Sequence, residues 1–260
     1  DVYKRQYQDN GLKFSPYHGG AADKETTDKI TQLANKATSY KKISYGEGIN
    51  TGIIREKTKE EAINRYTSEY VLLTLKELGA YKEIISWLEE NPEVEIILDP
   101  LCGTTIPYLT SLFNQISKDV GRKIYKMIHS EYDSFFKEVG GAPNPTRKES
   151  IQPLMEEVKK EKNSLGLAYD GDGDRLGVID FGNRQITANE NIVLLIYFLN
   201  KEKGLEGAIG KTVATTNSVN IVAQYLGLEL IETPVGFKWF VEKSIKEKVN
   251  FLVAGEESAH

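Results

Sequence analysis

The chain is poor in cysteine and has no long apolar run. Cys102 is the only cysteine among 260 residues, so no internal disulfide can form, which is typical of a reducing cytoplasm. No apolar run approaches the ~20 residues that span a bilayer, and the N-terminal residues lack the apolar stretch of a signal peptide. A net charge of −5 gives no electrostatic reason to bind nucleic acid or an anionic membrane. We therefore expect a cytoplasmic protein with neither as a partner.

Two signatures of phosphate chemistry are also missing. The sequence contains no Walker A motif, which argues against a P-loop kinase. It also contains no Asp-x-Asp-x-Thr/Val pattern, which argues against a phosphatase with an aspartate nucleophile. With 260 residues, 40% of them hydrophobic, the chain is long enough for roughly two domains.

The segment Asp170–Arg175 places three carboxylates at alternate positions, separated only by glycine and followed directly by arginine. Alternate residues of an extended segment point the same way, so Asp170, Asp172 and Asp174 are predicted to converge on one hard divalent cation. Oxygen ligands of this kind favour Mg²⁺. Arg175 would lie beside the metal with a planar guanidinium suited to a phosphate. The pattern predicts a site for a metal ion and a phosphate.

Two other structures share parts of this pattern. An EF-hand loop also begins with alternating aspartates, but it needs glycine at its sixth position and glutamate at its twelfth, where this chain has Arg175 and Phe181. Helices would flank such a loop, whereas Leu165–Tyr169 and Leu176–Asp180 are predicted as short strands. A plain Gly-Asp turn of a β-hairpin is the remaining alternative, although three aspartates and an arginine exceed what a turn requires.

Predicted helices and strands alternate along the chain. The helices are expected at Lys59–Leu78, Tyr81–Glu90, Thr104–Ile116, Glu149–Lys160, Asn189–Asn200, Ser218–Leu226 and Phe237–Lys246. Besides the two strands beside the aspartates, strands are expected at Val94–Leu98, Lys123–Ile128, Lys211–Ala214, Glu229–Ile231 and Phe251–Val253. This alternation predicts α/β layers with mainly parallel sheets.

Further polar or glycine-rich motifs lie in loops. These are Asn10–Lys13, Tyr17–Gly20, Thr233–Trp239 and Gly255–His260. Ligands of open α/β sheets gather at the carboxyl ends of strands, where several of these loops are expected. Glu256, Ser258 and His260 alternate, so they are predicted to share one face. A carboxylate, a hydroxyl and an imidazole together suit a polyhydroxylated substrate such as a sugar.

In this order, the motifs resemble those of the α-D-phosphohexomutase family, which includes phosphoglucomutases, phosphomannomutases and phosphoglucosamine mutases. Asp170–Arg175 resembles the family's metal loop, Gly255–His260 its sugar-recognition loop, and Thr233–Trp239 the loop that precedes it. Asp99–Leu101 and Pro143–Thr146 are similar to landmarks of the second domain. The resemblance extends over nearly the whole chain.

The resemblance implies repeated α/β domains, each with a mixed or parallel β-sheet flanked by helices. Residues 1–60 would be the end of domain I, and residues 61–184 would be domain II with the metal loop. Residues 185–260 would be part of domain III with the sugar-recognition loop, and domain IV would be absent. The order of predicted elements places the boundary between the last two units near Asn183–Ile186.

The reaction implied by the resemblance interconverts hexose 1-phosphate and hexose 6-phosphate. A phosphoserine of domain I gives its phosphoryl group to the sugar phosphate, and the bisphosphate intermediate (glucose 1,6-bisphosphate for a glucose enzyme) returns the other phosphate to serine. The three aspartates would hold Mg²⁺ as Lewis acid and template, and Arg175 would stabilise the charge of the transferred group. Lys13 matches a lysine associated with proton transfer, and His260 matches an acid/base candidate of phosphomannomutase-like members.

Substrate selection is implied to lie in the third-domain loops. Glu256 and Ser258 would bind sugar hydroxyls, and the specificity loop would be formed by Val235, Gly236, Phe237 and Lys238. These loops favour glucose phosphate, whereas the ending Ala259-His260 makes mannose phosphate the runner-up. A phosphoglucosamine mutase and a non-catalytic sugar-phosphate or metal-binding relative are further alternatives. Whether the protein is a monomer or a homodimer is open.

The N-terminal segment departs from the family pattern. Counting back about ten residues from Lys13, as the resemblance requires, places the nucleophilic serine near position 3, where the chain has Tyr3. The first six residues also resemble the translated sequence of a transposon adapter. We therefore expect no mutase turnover from residues 1–260 alone, although the gene of origin is expected to encode a mutase.

Four other residues receive plainer interpretations. His18 and His129 have no motif partner and are interpreted as structural or surface residues. Cys102 has no basic neighbour in sequence to lower its pKa, so a packed thiol is favoured over a nucleophile. Phe237 fits core packing as well as it fits the specificity loop.

Overall fold

The computed structural model describes residues 14–20 and 22–258. Its first two helices are α1 (Lys24–Lys36) and α2 (Tyr45–Asn50), neither of which the apolar pattern predicts. α1 buries no residue and begins at the N-cap Asp23, whose carboxylate accepts the amide N–H of Thr26 at 2.8 Å. A helix that buries nothing needs no apolar stripe, which is why its sequence gives no periodic signal.

The predicted helix Lys59–Leu78 is confirmed as one helical run with an irregular middle. It consists of α3 (Lys59–Arg65), a π-helical stretch (Tyr66–Leu72) and α4 (Leu73–Glu77). A capping box between Thr58 and Glu61 begins the run. Gly79, with φ of 68°, separates this run from α5 (Ala80–Glu90).

The first sheet has five strands. The elements that build it are β1 (Glu95–Asp99), α6 (Ile106–Val120), β2 (Tyr125–Met127), a 3₁₀ turn (Lys137–Val139), α7 (Lys148–Lys160), β3 (Ser164–Tyr169), β4 (Leu176–Ile179) and β5 (Gln185–Ile186). The strand order is β2-β1-β3-β4-β5. The first three strands are parallel, whereas β4 and β5 are antiparallel additions. The sheet is therefore mixed, as the family resemblance predicts.

Helices cover both faces of this sheet because successive strand residues point to opposite sides. Leu98 packs in a cluster with Leu88 of α5 and Phe113 of α6. Its neighbour Ile97 packs on the other face with Leu154 of α7. This three-layer packing fixes the carboxyl ends of β1 and β3 side by side, in register from Glu95↔Ser164 to Asp99↔Ala168.

The second sheet has three parallel strands in the order β7-β6-β8. Its elements are α8 (Ala188–Tyr197) with a π-helical extension (Phe198–Glu202), β6 (Ala208–Thr212), α9 (Ser218–Leu226), β7 (Leu230–Thr233), α10 (Lys238–Lys246) and β8 (Phe251–Gly255). The strand predicted at Lys211–Ala214 was placed too late. The five residues of β6 are buried, whereas Val213 is exposed. Glycine is a poor strand former, so Gly210 hid the start of this strand in the sequence. In the structure, the absent side chain leaves room for the ring of Phe240.

The connection between the two sheets is short. β5 pairs with β4 through Val178↔Ile186, so the first sheet extends two residues past residue 184, where the sequence places the end of domain II. α8 begins immediately afterwards, with Thr187 as its N-cap. Within the described part of the chain, no helix combines the length and apolarity needed to cross a bilayer.

Candidate functional site

The predicted metal loop joins β3 to β4. These strands are antiparallel, with Tyr169 opposite Leu176, so residues 170–175 are also a hairpin connection. The amide of Asp170 donates to the carbonyl of Arg175 at 3.3 Å, and the amide of Gly173 donates to the carbonyl of Asp170 at 3.1 Å. The expectation of an extended segment is therefore wrong: the chain folds back, and the left-handed φ of 78° at Gly173 suits glycine.

The three aspartates nevertheless converge. One carboxylate oxygen from each of Asp170, Asp172 and Asp174 lies within 4.8 Å of the others. Such a cluster offers several hard oxygen donors on one side of the loop, as Mg²⁺ requires. Residues 170–175 are thus both the connection of a β-hairpin and a loop that gathers the three carboxylates, so the two interpretations are compatible.

Asp170 is the most enclosed member of the cluster. It is 6% exposed, and this burial, followed by the charges of Asp172 and Asp174, raises its pKa to about 7. The backbone N–H of Arg175 donates to its Oδ1 at 3.2 Å and opposes that rise. A cation bound here would offset the repulsion among the three carboxylates and so lower the pKa of Asp170.

Arg175 directs a guanidinium towards the same cluster. Its Nε is 3.9 Å from Asp170 Oδ2, too far for a hydrogen bond. Among the described residues, this buried Nε has no hydrogen-bond partner. A buried donor without a partner is costly, and a phosphate oxygen is a suitable acceptor for it.

The predicted sugar-recognition loop follows β8 and contacts the loop that follows β7. Glu256 is 6% exposed, and its Oε1 accepts the amide N–H of Gly236 at 2.7 Å. Ser258 Oγ donates to Glu256 Oε2 at 3.4 Å. The structure therefore brings together Gly236, Glu256 and Ser258, which the sequence assigned to substrate binding from two separate loops.

The other residues of the specificity loop are more open. Val235 and Phe237 are exposed. The ring of Phe237 also packs edge-on against that of Phe240, with centroids 5.5 Å apart, so the residue is partly packed, and its place in the specificity loop stays a prediction. Lys238 places its Nζ 4.9 Å from the ring centroid of Trp239. The predicted acid/base residues Lys13 and His260 lie outside the described residues.

Sequence reasoning gave Lys211 no role beyond a strand. Its side chain is 1% exposed, with Nζ 3.2 Å from Glu232 Oε2. The same Nζ donates to the carbonyl of Thr215 at 3.2 Å and to Asn217 Oδ1 at 3.1 Å. An ammonium has three donors, and all three have acceptors here, so Lys211 joins the end of β6 to β7 and to the loop before α9. The available signal was a lysine within an otherwise uncharged strand.

Glu257 was also left without a role. Its Oε2 accepts from the hydroxyls of Thr212 and Thr215 at 3.3 and 3.4 Å. These contacts attach the sugar-recognition loop to the end of the central strand β6. Glu256 therefore joins the predicted sugar-recognition loop to the loop after β7, and Glu257 joins it to the end of β6 and the residues that follow.

Two consecutive α/β units with polar loops at the carboxyl ends of their strands define a class of ligand-binding α/β proteins. The profile of the phosphoglucomutase/phosphomannomutase alpha/beta/alpha domain II matches residues 76–182. The profile of alpha/beta/alpha domain III of the same group matches residues 187–260. The chain therefore belongs to the phosphoglucomutase/phosphomannomutase family, which confirms the resemblance and the fold class predicted from its motifs.

Curated relatives agree with this assignment. A phosphoglucomutase of Komagataeibacter xylinus is 27% identical over 262 residues, covering 97% of this chain and 44% of that protein. A phosphoglucosamine mutase of Campylobacter concisus is 27% identical over 258 residues, covering 98% of this chain and 51% of that protein. The chain thus spans about half the length of these relatives.

A solved structure shows the same fold over nearly the whole chain. The open form of the Paramecium phosphoglucomutase parafusin superposes with a TM-score of 0.71, covering 96% of this chain and 45% of that protein at 20% identity. At this identity the likeness establishes the fold alone.

Proposed function

We propose that the full-length protein is a phosphohexomutase that interconverts hexose 1-phosphate and hexose 6-phosphate, with glucose as the hexose. The observation that carries this proposal is the convergence of Asp170, Asp172 and Asp174 within 4.8 Å, in a chain of the phosphoglucomutase/phosphomannomutase family. The activity is assigned to the full-length protein because this chain covers 44% of the K. xylinus relative.

The donor set of the aspartate loop fits Mg²⁺. All three side chains offer carboxylate oxygens, and the pKa of Asp170 is raised first by burial and then by the negative charges of Asp172 and Asp174. When bound there, Mg²⁺ would supply Lewis-acid neutralisation of the charge on a transferring phosphoryl group. Arg175 is proposed to donate its unpartnered Nε–H to a phosphoryl oxygen and so orient that group.

The proposed reaction consists of two phosphoryl transfers. In the first, a hydroxyl oxygen of the hexose phosphate bonds to phosphorus as the bond from serine Oγ to phosphorus breaks, which gives a hexose 1,6-bisphosphate. In the second, serine Oγ bonds to the other phosphorus as the bond from that phosphorus to the sugar oxygen breaks, and the released sugar oxygen takes up a proton. Lys13 is proposed to accept the hydroxyl proton, and His260 to act as a second acid/base group.

The third-domain loops are proposed to hold the sugar. Glu256 already has both oxygens turned towards neighbouring donors, with Gly236 N–H at 2.7 Å and Ser258 Oγ at 3.4 Å. Carboxylates carry further lone pairs, so Glu256 can accept from sugar hydroxyls while it holds the loop. Val235 and Phe237, both exposed, are proposed to contact the sugar from the neighbouring loop together with Lys238.

Replacement of Glu256 by Gln tests this assignment. Gln can retain the contact with Gly236 but loses the charge that strengthens hydrogen bonds to sugar hydroxyls. Hydrogen bonds to charged groups contribute about 1.5–3 kcal/mol, so we expect roughly a 10- to 100-fold loss of kcat/KM. The measurement is the coupled production of glucose 6-phosphate from glucose 1-phosphate by the full-length protein, with Mg²⁺ and glucose 1,6-bisphosphate.

Glu247→Gln is the matched control, since Glu247 forms an exposed ion pair with Lys243 in the same unit. It should leave kcat/KM unchanged. Equal activity of Glu256→Gln and the wild type would remove Glu256 from the sugar site.

Formation of the corresponding hexose 6-phosphate from mannose 1-phosphate and from glucosamine 1-phosphate, each measured under the same conditions, tests the choice of hexose. A higher kcat/KM with glucose 1-phosphate is expected. Preference for glucosamine phosphate would align the protein with relatives such as the C. concisus phosphoglucosamine mutase. No turnover of any of the three would contradict the proposed activity and favour a binding protein.

A further inference from the structure

A buried acid–base pair lies beside the metal loop, at the carboxyl ends of β1 and β2. Asp99 is fully buried and His129 nearly so, with side chains 0% and 11% exposed. His129 Nδ1 lies 2.9 and 3.0 Å from the two oxygens of Asp99. Asp99 Oδ1 also accepts the amide N–H of Leu101 at 2.9 Å. The sequence offers no motif partner for His129, which is interpreted there as a structural or surface residue; the structure gives it Asp99 as a partner.

The pair holds an unusual stretch of backbone. Leu101, Cys102 and His129 have left-handed φ values of 47°, 59° and 44°. Residues other than glycine adopt this conformation only where the surroundings enforce it. The amide of Cys102 also donates to the carbonyl of His129 at 3.2 Å, so backbone and side chains both join the loop after β1 to the end of β2.

The loop after β1 in turn supports the metal loop. The amide and the hydroxyl of Thr104 each donate to the carbonyl of Gly171 at 3.0 Å. Gly103 lies directly against Gly171, since a Cβ at Gly103 would be 2.8 Å from the Cα and carbonyl oxygen of Gly171. Gly171 is the residue between Asp170 and Asp172. The backbone that carries these two carboxylates therefore rests on the loop that Asp99 and His129 hold.

We propose that His129 is a positioning residue for the metal loop: through Asp99 it fixes the Leu101–Thr104 backbone, and through Thr104 it fixes Gly171 and the carboxylates on either side. This inference rests on the proposed function, in which the three aspartates hold a divalent cation. Burial raises the pKa of Asp99, and the hydrogen bond and charge of His129 oppose that rise. An ionised carboxylate can accept from several donors, so His129 favours the form of Asp99 that makes both this contact and the one to the N–H of Leu101.

The test is the affinity of the purified protein for Mn²⁺, measured by electron paramagnetic resonance and calorimetry without any substrate. His129→Ala removes the donor and is expected to weaken Mn²⁺ binding at least tenfold. His129→Asn places an amide nitrogen close to the position of Nδ1 and tolerates a left-handed backbone. This variant should therefore bind within about threefold of the wild type, a rescue expected of a surviving hydrogen bond.

Lys248→Ala is the matched control, because Lys248 also has a left-handed φ, of 56°, but lies in the loop before β8. It should bind Mn²⁺ as the wild type does. If His129→Ala shows no cooperative unfolding transition, Thr104→Val replaces it, since this variant removes one donor to Gly171 and keeps the side-chain shape. Thr104→Val should weaken binding, and Thr104→Ser should restore it.

The outcomes separate the two proposals. A wild-type protein that binds no Mn²⁺ would overturn the metal site of the proposed function, and the role of His129 with it. A wild-type protein that binds Mn²⁺ as tightly as folded His129→Ala or Thr104→Val would overturn the positioning role alone. Equal losses in His129→Ala and His129→Asn would show that the hydrogen bond to Asp99 is not the cause.

Discussion

The carboxyl group of Asp170 combines burial with two like-charged neighbours. Its pKa of about 7 contrasts with about 3.9 for an unfolded aspartate. The Asp-Gly-Asp-Gly-Asp pattern sufficed to predict that the three carboxylates meet. It could not show that Asp170 is the buried member, because that depends on the packing of the loop after β1 against Gly171. The ion pairs of Lys211 and His129 were not predicted for a similar reason: their acidic partners are 21 and 30 residues away in sequence.

Metal binding at this site should therefore depend on pH. The folded, metal-free protein retains a proton on Asp170 up to about pH 7, whereas the unfolded chain loses it near pH 4. The stability contributed by this group thus falls as pH rises from about 4 to 7. A cation must displace the proton, so Mn²⁺ affinity should increase roughly 20- to 30-fold between pH 5.5 and 7.5 and then level off.

Calorimetric titrations of Mn²⁺ across that range provide the measurement. The Asp170→Asn variant should bind Mn²⁺ more weakly than the wild type, and its Mn²⁺ affinity should depend little on pH. A flat affinity profile in the wild type would show that Asp170 carries no proton to displace.

Two loops from neighbouring strands pack together around the proposed metal site. β1 and β3 pair in parallel over five residues, so the loops that follow them meet at the same edge of the sheet. The sequence predicted the strands and the helices between them because strands show short apolar runs, whereas helices show apolar residues at helical spacing. It did not predict which strands pair, and it gave an antiparallel β4 only as the β-hairpin alternative, since the apolar pattern of β4 does not specify its direction. The helix α1 stayed hidden because it buries no residue.

Replacement of Gly103 by Ala tests the contact between these loops. A Cβ at Gly103 would lie 2.8 Å from Gly171 and 3.0 Å from the carbonyl oxygen of Pro100, and backbone atoms cannot move aside cheaply. Overpacking of this kind costs about 1–3 kcal/mol. We expect a loss of that size in the free energy of unfolding, measured with urea, together with weaker Mn²⁺ binding.

Gly46→Ala is the corresponding control in α2. No atom lies within 4 Å of its Cβ position, and alanine favours a helix over glycine by up to about 1 kcal/mol. Its stability should be equal to or higher than that of the wild type. If Gly103→Ala behaved in the same way, the two loops would not be in the close contact described.

At the scale of the whole molecule, the two α/β units correspond to domains II and III of the phosphoglucomutase/phosphomannomutase family. The first unit carries the aspartate loop and the second carries the proposed sugar-recognition loop. A ligand that binds only the folded state stabilises it by about 2.7 kcal/mol at 100 times its Kd. A cation held by the aspartate loop should therefore raise the melting temperature of the first unit.

The most direct test of this account is the stoichiometry of Mn²⁺ binding to the purified protein at pH 7.5, with Mg²⁺ as competitor. We expect one site that Mg²⁺ displaces, and its loss in a variant with Asp170, Asp172 and Asp174 all replaced by Asn. A wild-type protein without such a site, or a triple variant that binds Mn²⁺ equally well, would contradict the assignment of Asp170–Arg175 as the metal centre.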